Sequence, residues 1–172
     1  MTTRLRLRTY GEACLRKPAR KVVSVGPAEK LLIKEMIPAM YAFDGTGLAA
    51  NQVGIEEKIF VADIGEGPFA VMNPEIINAS SKQTVLEEGC LSLPGIHIKV
   101  KRPETICVRY LTERNDIVEV ELTGIPSKVF QHEIDHLNGR MIIDHASRAE
   151  KIKFKDKLTQ LEVLSKRPRP HA

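Results

Sequence analysis

The segment His132-Glu133-Ile134-Asp135-His136 constrains this chain more than any other. Placed on a helix, histidines at i and i+4 leave one face about one turn apart. Two imidazoles can then grip a single metal ion, with Glu133 beside them to carry a proton. The flanks favour a helix: Val129 and Phe130 precede the segment, Leu137 follows it, and Asn138-Gly139 is a helix stop. The pentapeptide supplies two ligands, whereas a catalytic site takes three from the protein and leaves one position open. Any fold this chain adopts must therefore bring a third donor to the helix.

The chain has 172 residues, 42% hydrophobic and 28% charged with both signs mixed. That is enough to bury a core, and one domain over residues 1–172 is expected. No apolar run approaches the ~20 residues of a membrane span. Residues 1–10 are basic and lack the apolar core and cleavage site of a secretory signal. The expected location is the cytoplasm, or an organelle matrix after processing. The net charge of +4 is modest, but from Arg148 onward eight Lys or Arg face three acids. This basic end, residues 148–172, reads either as a solvated helix face or as a surface for polyanions such as RNA. Sequence-specific reading of nucleic acid is not expected.

Three cysteines without a CxxC spacing argue against a disulfide framework. Cys14 falls in a turn, and Cys107 lies in an alternating strand pattern that predicts a buried thiol. Cys90 has more interesting neighbours. Arg and Leu alternate over residues 3–10, the period of a strand with one wet face. Gly26-Pro27 opens a helix whose apolar positions, Leu32, Ile33, Met36, Ile37, Met40 and Tyr41, recur at steps of three and four. It stops near Asp44-Gly45. The segment from Gly45 to Gln52 has no clear period.

Strands are predicted at 58–64, 69–72, 75–77 and 83–86, with a break at Asn73-Pro74. A hairpin is predicted from 105–111 and 117–122 around the turn residues Arg114-Asn115-Asp116. Ser147-Arg148-Ala149-Glu150 is a capping box that starts a terminal helix with Phe154, Leu158, Leu161 and Leu164 as its stripe, before an end expected to fray at Lys166–Pro170. The fold class is α+β, with mostly antiparallel sheets packed around the HExxH helix and further helices in the N-terminal half and at the C-terminus.

Cys90 leads the candidates for the third ligand, since two imidazoles and a thiolate form a known catalytic set. His97, in Ile96-His97-Ile98, reads rather as a strand-face residue. His145, beside Asp144, can satisfy itself locally. The segment Gly45-Thr46-Gly47-Leu48-Ala49-Ala50-Asn51-Gln52 lacks the third glycine and Lys-Ser/Thr of a nucleotide loop. A tight loop that brings the Gln52 carboxamide near another group fits it better, and such a group can stabilise an oxyanion.

GTGLAANQ, EGCLS and QHEIDH, in this order and roughly 40 residues apart by simple motif reading, resemble the three motifs of the peptide deformylases: GxGxAAxQ, EGCxS and HExxH. The resemblance covers nearly the whole chain, with an N-terminal LRKPA segment and a helical end like those of the bacterial type. It implies a metal-dependent hydrolase that removes the formyl group from the N-terminal formylmethionine of nascent chains. Cys90, His132 and His136 would hold the metal with a water as fourth ligand, and Glu133 would be the general acid and base. Gln52 and the backbone N–H of Leu91 would stabilise the oxyanion, and Gly45, Thr46, Gly47 and Leu48 would line the cleft and pair with the peptide backbone.

The family typically uses Fe(II) and tolerates Ni(II), Co(II) or Zn(II). Its bacterial members link the C-terminal helix to docking on the ribosome. Glu88, Arg102 and Asp135 are candidates to support the ligands, because ligating histidines give their other N–H to a carboxylate or carbonyl. The resemblance suggests that Arg102 pairs with Glu88 and fixes the Cys90 loop. Two other classes stay open on the residues alone. One is a HExxH metallopeptidase cutting internal amide bonds, with His145 as the downstream ligand. The other is an inactive relative that binds RNA or ribosomes through its basic end.

Overall fold

A computed structural model describes residues 5–167. Helix α1 (Pro27–Ala42) begins at Gly26, whose N–H is capped by Glu29 at 2.7 Å, with Pro27 in the first turn. Seven strands follow: β1 (Gly47–Ala49), β2 (Ile59–Asp63), β3 (Pro68–Ala79), β4 (Gln83–Gly89), β5 (His97–Pro103), β6 (Thr105–Leu111) and β7 (Ile117–Thr123). Helix α2 (Ile125–Leu137) carries the HExxH segment, and α3 (Arg148–Lys153) and α4 (Lys155–Ser165) close the described chain.

The strands form two antiparallel sheets, one ordered β1-β2-β3-β6-β7 and the other a β4-β5 ribbon. Period-two patterning explains why β2 is apolar from Ile59 to Ala62. Ile59 and Val61 face a core shared with Ile33, Met36 and Met40 of α1, while Phe60 and Ala62 face Phe130, Ile134 and Leu137 of α2. The large sheet is thus held between α1 and α2, and Phe60 meets Phe130 edge to face with ring centroids 5.1 Å apart. A third cluster joins the inner row of β5, Ile98 and Val100, to Leu93, Ile142 and Leu161 beneath the C-terminal helices.

Several local expectations change. Residues 5–10 run extended but join no sheet, because Arg8 N–H goes to Gln52 O at 2.7 Å and Tyr10 N–H to Ser92 O at 2.9 Å, two separate partners rather than one ladder. Residues 3 and 4 of that expected strand lie outside the described residues, as does the expected frayed end from Pro168 to Pro170. The break predicted at Asn73-Pro74 is a bulge inside one long strand. Asn73 takes φ 51° and clasps Val22, accepting from its N–H at 2.8 Å and donating to its carbonyl at 2.7 Å. The irregular stretch after Gly45 forms β1 and a 3-10 turn at Ala50–Val53. The terminal helix divides at Phe154, and Leu164 of its stripe is exposed. Cys107 is half-buried, not enclosed.

Candidate active site

Helix α2 is buried on both sides, which the amphipathic reading of a surface helix would not anticipate. Phe130, Ile134 and Leu137 pack on the large sheet. The other side turns His132, Glu133 and His136 toward the β4-β5 ribbon and the loop that follows β4. The two imidazole centroids lie 4.9 Å apart. Asn51 Nδ2 donates to the His136 carbonyl at 2.5 Å, tying the loop after β1 to the helix at a ligand position. The helix ends where Gly139 takes φ 73°, a conformation that suits a residue without Cβ.

Cys90 arrives at this face from the end of β4. Its Sγ lies 3.2 Å from His136 Nε2, and the donor atoms of Cys90, His132 and His136 all fall within 4.8 Å of one another. A Cβ at Gly89 would stand 3.1 Å from the His97 ring, so glycine lets the strand end approach β5 closely. Burial alone would push the Cys90 thiol up, but His136 and His132 beside it outweigh that and bring it down to about 5. His132 responds in the opposite sense: burial disfavours its charged form, but contacts with Cys90 and Glu88 raise it well above the ordinary histidine range. The residues fit a metal. A thiol already inclined to ionise, with two imidazoles in reach, is a donor set for a borderline-soft divalent ion bound at about 2.0–2.3 Å. His132 Nδ1 is engaged by Glu88 Oε2 at 3.0 Å, which leaves Nε2 to coordinate.

Glu133 is 3% exposed, and its Oε2 has no hydrogen-bond partner among the described residues. Burial raises its carboxyl above the usual range, the thiolate of Cys90 and Glu88 adding to that and the two histidines opposing it. Its other oxygen lies against Gly47, where an added Cβ would overlap the carboxyl group. The Gln52 side chain is fixed at both ends. Its oxygen accepts from Ala49 N–H at 2.9 Å, and its Nε2 donates to Ser92 Oγ at 3.1 Å and faces Cys90 Sγ at 3.8 Å. The amide therefore presents N–H rather than C=O toward the cysteine. These groups line a cleft of about 700 Å³, together with Gly45, Thr46, Leu91 and His97. Leu48 is fully buried in the core behind it.

Arg102 sits at the centre of the support. It grips both oxygens of Glu88, Nε to Oε1 at 2.6 Å and Nη2 to Oε2 at 2.9 Å, and reaches Asp135 Oδ2 with Nη1 at 2.8 Å. Asp135 thus does not bond a ligating histidine, as expected of it, but holds the arginine that holds Glu88. His145 pairs with Asp135 through Nε2 at 2.8 Å instead of with its neighbour Asp144, and it is absent from the ligand cluster.

Sequence reasoning missed Ser92, Asn51 and Lys128. Ser92 and Asn51 stand inside the quoted motifs, where small polar residues amid apolar ones were the available signal. Lys128 is 5% exposed and donates from Nζ to the carbonyls of Thr84 and Arg102, both at 3.2 Å, and burial pulls its pKa down. Only the helical face it shares with Gln131 and His132 hinted at this.

A family model described as polypeptide deformylase matches residues 4–152. The chain is 47% identical over 156 residues to a peptide deformylase of Thermotoga neapolitana, covering 91% of this chain and 95% of that protein. The crystal structure of peptide deformylase from Thermotoga maritima superposes with a TM-score of 0.81 at 48% identity, over 83% of this chain and 97% of that one. A peptide deformylase structure from Plasmodium falciparum gives 0.91 at 33% identity, over 96% of this chain and 100% of the other.

Proposed function

The chain belongs to the polypeptide deformylase family, and from that premise we propose which of its residues carry the reaction. It is an enzyme that removes the N-terminal formyl group from newly synthesised polypeptides. The observation that supports the assignment of residues is the convergence of Cys90, His132 and His136 donor atoms within 4.8 Å, beside a buried carboxyl and a fixed amide. The family is metal-dependent, and these three residues hold the ion. Bound there, a divalent ion supplies Lewis acidity toward a water and the formyl oxygen.

The chain's own groups do the rest. Glu133, raised by burial, takes the proton of the attacking water and returns it to the amine that leaves. Gln52 Nε2, turned toward Cys90 by the Ala49 and Ser92 contacts, donates to the oxyanion together with the Leu91 N–H. Each such donor is worth about 3–4 kcal/mol in comparable sites. Gly45, Thr46 and Gly47 pair with the peptide backbone of a formyl-Met nascent chain, while Leu48, expected to join them, packs in the core behind the cleft. Glu88, Arg102 and Asp135 hold the His132 ring in register.

The metal is Fe(II), with Zn(II), Ni(II) and Co(II) as substitutes, since the His₂Cys set accepts all of them. We also assign the whole chain, residues 1–172, to one catalytic unit that works in the cytoplasm. The basic C-terminal helices serve to dock it on the ribosome. Among the described residues no helix is long and apolar enough to cross a membrane. Anaerobic purification with metal analysis, followed by formate release from formyl-Met, acetyl-Met and unblocked peptides, tests this reading. Iron content, selectivity for formyl-Met over acetyl-Met and unblocked peptides, and formate release that falls on exposure to air support it. Activity on internal bonds of unblocked peptides would overturn it.

A further inference from the structure

We infer that His145 is a positioning residue for the reaction, acting on the ligand His132 through Asp135, Arg102 and Glu88. The inference rests on the assignment of His132 as a metal ligand. The contacts form an unbroken line. His145 Nε2 meets Asp135 Oδ2 at 2.8 Å, and Arg102 Nη1 meets the same oxygen at 2.8 Å. The other edge of the guanidinium holds Glu88 by two bonds at 2.6 and 2.9 Å, and Glu88 Oε2 receives His132 Nδ1 at 3.0 Å. Exposure falls from His145 at 28% through Asp135 at 17% to Arg102 at 4%, and stays low at Glu88, 10%, and His132, 15%. The line therefore runs from the surface into ground where side chains have little room to find other partners.

His145 is itself held by a firm turn rather than by a free loop. Its N–H bonds Ile142 O at 3.0 Å, and Ile142 and Ile143 are buried. Asp144 Oδ2 accepts from Met141 N–H at 2.8 Å and from Arg16 at 2.6 Å, which pins the turn from both sides. A ring delivered this way fixes the rotation of the Asp135 carboxylate. That in turn fixes the outer edge of Arg102, and a planar guanidinium clamped at one edge aims its other edge. The role is orientation, and no proton needs to travel along the line.

The test uses the full chain loaded with Co(II), comparing wild type with H145A, H145Q, S147A, C90A and H132A. Partners that orient metal ligands typically change affinity or activity 10–100-fold, and His145 stands at the far end of such a line. H145A is expected to lower kcat by roughly tenfold with KM unchanged, to shift the thiolate-to-cobalt absorption, and to speed cobalt loss to a chelator. H145Q, whose amide N–H can still reach Asp135, should restore all three. S147A removes the cap of α3 two residues away and should alter none of them, which separates orientation from a loosened turn. If H145A matches wild type in kcat, spectrum and cobalt loss while C90A and H132A lose the metal, the positioning role is wrong and the ligand set stands. If H132A keeps the metal and the wild-type spectrum, the ligand assignment fails and the inference with it.

Discussion

Glu88 and Arg102 meet as a two-pronged pair, with nitrogen–oxygen distances of 2.6 and 2.9 Å and side chains only 10% and 4% exposed. Burial alone would raise the Glu88 carboxyl, yet Arg102 and His132 outweigh it and hold it at about 2, below its ordinary 4.5. A carboxylate depressed in the folded state stabilises fully above the unfolded value and loses that contribution as pH falls through the folded one. The window here runs from about 4.5 down to about 2, and the contribution is on the order of 3 kcal/mol at roughly 1.4 per unit. In metal-free protein, the unfolding free energies of wild type and E88Q should differ most above about pH 5 and converge toward pH 2. A gap that stays constant across the window would mean that the carboxylate is not held down.

Glu133 is the proposed carrier of the proton and is not among the donor atoms that gather around Cys90. E133A should therefore keep its metal while turnover drops by about 10²–10⁴, the usual weight of a positioned acid or base. Metal content per chain and formate release, measured on the same sample, check this. Loss of metal along with activity would sink the assignment.

Gly47 offers a way to disturb the same carboxyl without touching its chemistry. Its φ is not in the left-handed region, so alanine fits the backbone, but the added methyl would run into Glu133, with Cδ only 2.8 Å away. G47A is expected to cost about 1–3 kcal/mol from overpacking. It should cut kcat by one to two orders of magnitude, the scale of an ångström-sized misplacement. Denaturant unfolding and steady-state kinetics together would show it. A variant with wild-type kcat would mean that Glu133 swings aside freely and that its present position is not needed.

The way these residues assemble explains what the sequence could and could not reveal. His132 and His136 are legible because helical periodicity alone puts them on one face. The β6-β7 hairpin is legible for a similar reason, since Asn115 takes φ 66° in a short turn between two alternating runs. The extended run over residues 5–10 has the right period but no ladder, because a strand pattern cannot say whether a neighbour exists. Asn73 reads as a break for the converse reason: its side chain holds Val22, 51 residues away in sequence, so the bulge is stabilised by a distant contact. The Arg102 hub depends on the β4-β5 register, which sets Thr84 opposite Arg102 and Glu88 opposite Ile98. That pairing turns Arg102 inward, in line with Ile98 and Val100. No local signal distinguishes such an arginine from a surface one.

Lys128 makes the last prediction, because two opposing effects meet there. Burying an ammonium is costly, and replacing a buried charge by an apolar residue of similar length is often neutral. Here, however, the ammonium serves two main-chain carbonyls, Thr84 and Arg102, that belong to facing strands of the ribbon. Methionine at this site would remove both bonds, at about 1.5–3 kcal/mol for each bond from a charged donor. We expect those losses to exceed the relief of desolvation, so that K128M is destabilised by about 2 kcal/mol at neutral pH. Because burial lowers the Lys128 pKa, the unfolded chain holds this proton more tightly, and the wild type gains stability as pH rises toward the ordinary lysine range. K128M lacks that gain, so its deficit should widen with rising pH. Denaturant unfolding of both proteins from neutral pH upward checks the sign, and a deficit that shrinks on the alkaline side would show that the Lys128 charge stabilises the fold at this position.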